Sequence, residues 1–163
     1  MADLDEVLGA LGYAKVNLWG GSYGGYLTAM GLARASDMFA AGVDVHGVHD
    51  WNNAIRNFMP NYNQERRPDI ARRAFASSPM AFIDGWRSPV LLIHGDDDRN
   101  VPFSESVELV EQLRARRVHV EQLVFPDEVH GFLLHRSWRR AYTAAAEFLD
   151  RHLASRRVPT QGR

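Results

Sequence analysis

The stretch Gly20-Gly21-Ser22-Tyr23-Gly24-Gly25 decides the fold, because of what stands on either side of it. Before it, Val16-Asn17-Leu18-Trp19 is short and apolar and reads as a strand. After it, residues 26–35 read as a helix whose small members Ala29, Gly31 and Ala33 allow close packing on a sheet. Strands that pass into helices in this way build α/β folds with parallel sheets. The turn itself fits the pattern Gly-x-Ser-x-Gly over residues 20–24 and has the strand-to-helix context that a nucleophile elbow requires. A sharp turn there strains the Ser22 backbone, so its neighbours two residues away are expected to lack side chains. The Tyr23 N–H, at the helix start, would face an oxyanion developing beside Ser22. The alternative is that a glycine-rich turn with a serine is only a turn. Nucleotide-binding readings fail, since there is no G-x-G-x-x-G and Tyr26-Leu27 stand where a phosphate-binding loop has Lys-Ser/Thr.

Working outward, the same alternation continues. Leu4, Val7, Leu8 and Leu11 recur at helical spacing and Gly12 stops them, giving an opening helix. A second strand is expected over residues 41–45, then a long irregular region over 46–87 with one helix near 68–75. Residues 57–68 read as a loop or cap over the carboxyl edge of the sheet. Residues 89–94 form a continuous apolar run, the kind buried on both faces of a parallel sheet. An amphipathic helix follows over 103–116, with Val107, Val110 and Leu113 on one face and Glu105, Glu108, Glu111 and Arg114 elsewhere. A strand over 118–125 and a helix over about 138–153, burying Ala141, Ala145, Phe148 and Leu149, complete the order. The expectation is one α/β domain over 1–155 with a frayed tail over 156–163.

Composition limits the function. The chain has 163 residues, 19 Lys+Arg against 20 Asp+Glu and no cysteine. A chain of this size can bury roughly 68–70% of the surface its unfolded form exposes, so it needs no disulfide or zinc staple. The absence of Cys excludes thiolate catalysis, cysteine zinc sites and iron–sulfur clusters. A net charge of −1 argues against nucleic acid or an anionic membrane as the main partner. No apolar stretch nears the length that spans a bilayer, and the acidic start, Asp3 to Glu6, is unlike a signal peptide, so a cytoplasmic location is expected.

A serine hydroxyl is a weak nucleophile near neutral pH and needs a base that a carboxylate orients. Candidate partners follow the last two strands: His94-Gly95-Asp96-Asp97-Asp98-Arg99-Asn100-Val101-Pro102, and Pro126-Asp127-Glu128-Val129-His130-Gly131-Phe132. Strand ends in a parallel sheet converge on one edge, so Ser22, an Asp of the first loop and His130 can meet there. Their chain order, Ser then Asp then His, is that of α/β-hydrolases. His46 and His49 lie three apart, which suits a metal, but no third ligand is evident nearby and no metal site is expected.

The runs over 20–26, 94–102 and 126–132, each after its own strand and in this order, resemble the catalytic domain of the prolyl oligopeptidase family of serine peptidases. The resemblance covers residues 4–153 and implies an α/β-hydrolase fold, a mostly parallel sheet with helices on both faces, truncated at the N-terminus. It implies peptide hydrolysis through an acyl-enzyme, without a cofactor. Carried over, Ser22 is the nucleophile, Asp98 the orienting carboxylate, His130 the general base and acid, and Tyr23 an oxyanion donor. Asp96 and Asp97 then read as loop-fixing or solvated groups, and His94 as structural. Trp51, Phe58, Tyr62 and Val101 match stretches where the family lines an apolar pocket for the residue before the cut bond.

The departure from the family is at the front. Only one helix and one strand precede Ser22, so the loop that supplies a second oxyanion donor has no counterpart. Losing such a donor costs roughly 10²–10³ in rate. The nucleophile strand is expected to present an open edge, completed by a missing N-terminal segment or by a second copy of the chain. A carboxylesterase-like hydrolase and an inert fragment of a longer peptidase are the competing readings.

Overall fold

The structure is a computed structural model that describes residues 2–154; the tail expected to fray lies outside them. Four strands, β1 (Val16–Gly21), β2 (Phe39–Val45), β3 (Val90–Gly95) and β4 (Val120–Phe125), form one sheet in the order β1-β2-β3-β4. Every pairing is parallel. Six helices accompany them: α1 (Ala2–Leu11), α2 (Tyr23–Arg34), α3 (Trp51–Phe58), α4 (Pro68–Ala76), α5 (Ser104–Ala115) and α6 (His135–Ala154). A 3₁₀ turn spans Pro79–Gly85.

A sheet whose strands follow one another in sequence, each joined by a right-handed crossover, puts all its crossover helices on one face. On that face Ala29, Leu32 and Ala33 of α2 meet Leu109, Val110 and Leu113 of α5 over Val90 and Leu92, with Trp86 between them. The chain returns after β4, and α6 covers the other face, where Phe132, Ala141, Ala145 and Phe148 pack on Val43, Val45, Leu91 and Ile93. Alternate residues of β3 thus enter opposite cores, which is why its sequence is apolar without interruption.

Three expectations change. The region read as irregular contains α3 and the 3₁₀ turn as well as α4. Asp50 caps α3 by accepting the Asn52 N–H, a common N-terminal device. The helix after the glycine-rich turn starts at Tyr23, immediately after Ser22, rather than at Tyr26. On α5 the exposed and buried faces differ from the amphipathic reading. Val107 is 39% exposed, while Glu105 is buried because its Oε2 accepts the backbone N–H groups of His49 and Asp50, at 2.6 and 2.8 Å.

Candidate active site

Ser22 sits between β1 and α2 with φ 55° and ψ −118°, a left-handed backbone that a non-glycine residue holds only under constraint. The constraint comes from both sides. Its N–H donates to the Val45 carbonyl of β2 at 2.9 Å, and its carbonyl accepts the Tyr26 N–H of α2 at 3.0 Å. The glycines that permit the turn are Gly20 and Gly25. A Cβ on Gly20 would enter the Gly24 carbonyl, and one on Gly25 would lie 2.9 Å from Gly47 Cα and press on Asp44 Oδ1. A Cβ on Gly24 would meet nothing within 4 Å, so the second glycine of the sequence pattern is not the sterically required one.

The two loops beyond β3 and β4 interlock beside this turn. A Cβ on Gly95 would collide with the Glu128 carbonyl, Asp97 N donates to that carbonyl at 3.2 Å, and Asp127 N donates to Asp96 Oδ1 at 2.7 Å. Asp96 thus fixes a loop, and Asp97 faces Arg99 at the surface. Glu128 is buried and holds the chain after His130 by accepting from Leu133 N, Leu134 N and Ser137 Oγ.

That framework aligns three side chains. Ser22 Oγ lies 2.8 Å from His130 Nε2, and His130 Nδ1 lies 2.7 Å from Asp98 Oδ2. An ionised carboxylate only accepts, so Nδ1 carries the proton and Nε2 offers its lone pair to the serine hydroxyl. Asp98 is itself immobilised: Oδ1 accepts Asn100 N and Val101 N at 2.9 Å each, and Oδ2 accepts a second imidazole, His94 Nε2, at 3.2 Å. Burial pushes the Asp98 carboxyl up, but these hydrogen bonds outweigh it and hold the group well below the usual carboxylate range.

His94 therefore does more than end a strand. Its Nε2 also faces the Val101 carbonyl at 3.0 Å, which requires Nε2–H, and its Nδ1 then accepts the Ser106 hydroxyl at 2.7 Å. His46, at φ 44°, is the other histidine whose place the sequence did not reveal. Its ring lies 4.2 Å from that of His130, and its Nδ1 is buried with no hydrogen-bond partner among the described residues. Burial, then the neighbouring His130 and His94, lower its pKa to about 4 against the opposing pull of Asp98 and Asp44.

His49 turns to different partners from His46. Its Nε2 is 2.7 Å from Asp44 Oδ2 and its Nδ1 is 3.0 Å from the Glu105 carbonyl, so both nitrogens face acceptors and the ring is an imidazolium. Burial works against that charge; the Asp44 and Glu105 carboxylates outweigh it and raise the pKa. Asp44 Oδ1 also accepts Gly47 N, so this buried ion cluster ties the loop after β2 to α5 beneath the serine turn. As for metals, His46, Asp98 and His130 each offer one donor atom within 4.8 Å of the others, but Asp98 and His130 already satisfy each other.

Tyr23 is the first residue of α2, so its N–H has no use within the helix and stands at the positive end of the helix dipole. Around it, Tyr26 and Trp51 meet at ring centroids 5.3 Å apart and Tyr23 meets Tyr26 at 5.2 Å. Val48, Ala54 and Val101 pack with Tyr26 and Trp51 into one apolar cluster. Tyr62 Oη donates to Asn52 Oδ1 at 2.8 Å on the adjoining helix, whereas Phe58 ends α3 at 68% exposure outside the cluster. Asn57 Nδ2 donates to the Arg99 carbonyl at 2.8 Å, which ties the end of α3 to the Asp98 loop.

Comparison with known proteins follows the same lines. A sequence profile of the prolyl oligopeptidase family matches residues 7–156. Dipeptidyl aminopeptidase BIII of Pseudoxanthomonas mexicana is 32% identical over 157 residues, covering 89% of this chain and 23% of that protein. Dipeptidyl peptidase 4 of Bos taurus is 29% identical over 137 residues, covering 83% of this chain and 18% of the relative. A puromycin-hydrolyzing peptidase of Mycobacterium tuberculosis superposes with a TM-score of 0.79 at 25% identity, over 92% of this chain and 24% of that one. The acylaminoacyl peptidase of Pyrococcus horikoshii shares the fold, with a TM-score of 0.78 at 23% identity over 98% of this chain and 28% of that one. The chain spans less than a third of the length of each of these proteins.

Proposed function

The chain belongs to the prolyl oligopeptidase family, and on that footing we propose that it hydrolyses peptide bonds through an acyl-enzyme formed on Ser22. The observation that carries this reading is the unbroken line of hydrogen bonds from Ser22 Oγ through His130 to Asp98. As Ser22 Oγ attacks the scissile carbonyl carbon, its proton passes to His130 Nε2. The resulting imidazolium keeps its Nδ1–H on Asp98, which stays ionised. The Tyr23 N–H faces the tetrahedral oxyanion. When the C–N bond breaks, His130 returns the proton to the leaving amine. Water then attacks the ester carbon, gives a proton to Nε2, and the acid departs as that proton goes back to Ser22 Oγ.

The cluster of Tyr26, Val48, Trp51 and Val101 beside the serine turn favours an apolar side chain before the cut bond, with Tyr62 on its margin and Phe58 at the exposed rim. Among the described residues β1 has a partner on one side only, and Trp19 stands 55% exposed on it. That edge supports completion of the sheet by further chain of the same protein or by a second copy, which would bring the second oxyanion donor. No helix among the described residues is long and apolar enough to cross a membrane. A cytoplasmic setting belongs to the same reading.

The test is labelling with a fluorophosphonate probe, which reacts with an activated serine. The wild-type chain is expected to label, and Ser22→Ala and His130→Ala to abolish the signal. Absence of Ser22-dependent labelling overturns the reading in favour of an inert fragment. Matched amide and ester substrates sharing one acyl group separate peptidase from esterase, and ester-only turnover favours the carboxylesterase reading.

A further inference from the structure

The geometry points to a divalent metal site of the zinc class built from His119, Glu121 and His152, at the opposite end of the sheet from Ser22. His119 stands immediately before β4, at the amino end of a parallel sheet whose carboxyl ends carry the triad. Side chains alternate along a strand, and Val120 packs into the core under α2 and α5. His119 and Glu121 therefore share the opposite face, the one α6 covers. There α6 presents Phe148 and, one turn later, His152.

The three side chains are held rather than scattered. Phe148 is fully buried and both imidazoles rest on it, His152 with its ring centroid at 4.5 Å and His119 stacked at 6.5 Å with an interplanar angle of 12°. His119, Glu121 and His152 each bring one donor atom within 4.8 Å of the others. His119 Nε2 and Glu121 Oε1 are already 3.1 Å apart. Two ligands on a tetrahedral zinc, each about 2.0–2.1 Å from the metal, lie roughly 3.3 Å from one another. The first pair thus has nearly the separation the ion needs, and a small side-chain movement of His152 completes it. Two imidazoles and one carboxylate are a donor set for zinc and its neighbours in the first transition row, with the fourth position left to water.

One group competes. Arg151 Nη2 donates to both oxygens of Glu121, at 3.0 and 2.8 Å. The guanidinium is half exposed, so a cation of higher charge density displaces it at little cost. Binding would cross-link the start of β4 to the last turns of α6, the helix that closes one face of the sheet. Metal that binds the folded chain preferentially raises its stability by mass action.

The test uses the untagged, chelator-treated chain, titrated with zinc against a chromophoric chelator and melted with and without zinc, with cobalt as a spectroscopic substitute. One equivalent is expected to bind with a rise in Tm, and cobalt to show the visible absorption of a four-coordinate site. His119→Ala and His152→Ala are each expected to lose that equivalent, and Glu121→Gln to weaken it. Arg151→Ala is expected to tighten it roughly 2- to 5-fold, the worth of an exposed ion pair. His46→Ala is expected to retain it, which distinguishes this site from the donors around His130. Zinc uptake that is unchanged in both His119→Ala and His152→Ala, or absent up to about 100 µM zinc, overturns the inference.

Discussion

The imidazole of His46 lies against that of His130, ring centroids 4.2 Å apart and 35° from parallel. A protonated His46 would set two positive charges face to face when His130 becomes imidazolium, so the site requires His46 to be neutral. Its lowered pKa, about 4 against an ordinary 6.5, meets that requirement and makes stability depend on pH. The unfolded chain takes up a proton below pH 6.5 that the folded chain refuses until about pH 4, so this contribution is complete above 6.5 and declines as the pH falls. His49 has the opposite sign, its pKa being raised, and Asp98 loses its contribution only below the unfolded carboxylate range. Between pH 7 and 5 wild type is therefore expected to lose about 2 kcal/mol through His46. His46→Asn, which tolerates a left-handed backbone, is expected to lose that much less. Urea melts of both proteins at the two pH values check this; equal losses contradict it.

His94 and His130 hold the same oxygen of Asp98, which predicts a role for His94 in activity without contact to substrate. His94→Ala removes one donor to Oδ2 and leaves the Ser106 hydroxyl and the Val101 carbonyl unpaired in the core. A loss of about 2–4 kcal/mol is expected from the cavity and the unpaired groups. His94→Gln, which keeps a donor, is expected to fold more stably and to label with fluorophosphonate roughly tenfold more slowly than wild type, as the carboxylate shifts by a fraction of an ångström. Labelling at the wild-type rate in both variants would reduce His94 to packing alone.

The glycines of the serine turn predict a contrast that the sequence pattern alone would reverse. Gly25→Ala drives its Cβ into Asp44 and the Gly47 backbone, and neither the ion cluster nor the chain there can retreat. Loss of folding, or at least about 3 kcal/mol, is expected. Gly24→Ala enters open space at a helical position and is expected to be neutral or slightly stabilising. Thermal melts of the two variants decide the matter.

The parts of the fold legible in the sequence were those set by local rules. β3 is apolar because both its faces are buried, and the glycine turn marks itself by composition. Ser22 and His130 could be singled out because each follows its own strand, whereas Asp98 was separated from Asp96 and Asp97 only by the family resemblance. What escaped depends on distant partners. Glu105 reads as a surface carboxylate on an amphipathic helix until the N–H groups of residues 49 and 50, more than fifty positions away, are brought to it. His94 and His46 acquire their places only when the β2, β3 and β4 ends converge. α3 did leave a signal, Asp50 as cap and Trp51, Ala54, Ile55 and Phe58 at helical spacing, but the intervening Asn52, Asn53, Arg56 and Asn57 made the segment look irregular.

The two donors on one carboxylate oxygen also predict that Asp98→Asn has two separable effects. Oδ1 of Asp98 is claimed by the N–H groups of Asn100 and Val101, so an asparagine must leave its carbonyl oxygen there and turn its NH2 towards His130 and His94. Facing a donor, His130 adopts the Nε2–H tautomer and has no lone pair for Ser22. A fall in labelling of roughly 10⁴ is expected, the size seen when such a tautomer is imposed on a serine triad. The same NH2 also meets the N–H of His94, which the Val101 carbonyl fixes on Nε2, and this donor–donor contact is expected to cost about 1–3 kcal/mol. Adding His94→Gln, whose amide can present its oxygen to the new NH2, should recover part of the stability and none of the labelling. If labelling returns with stability, the tautomer argument fails and Asp98 acts through structure alone.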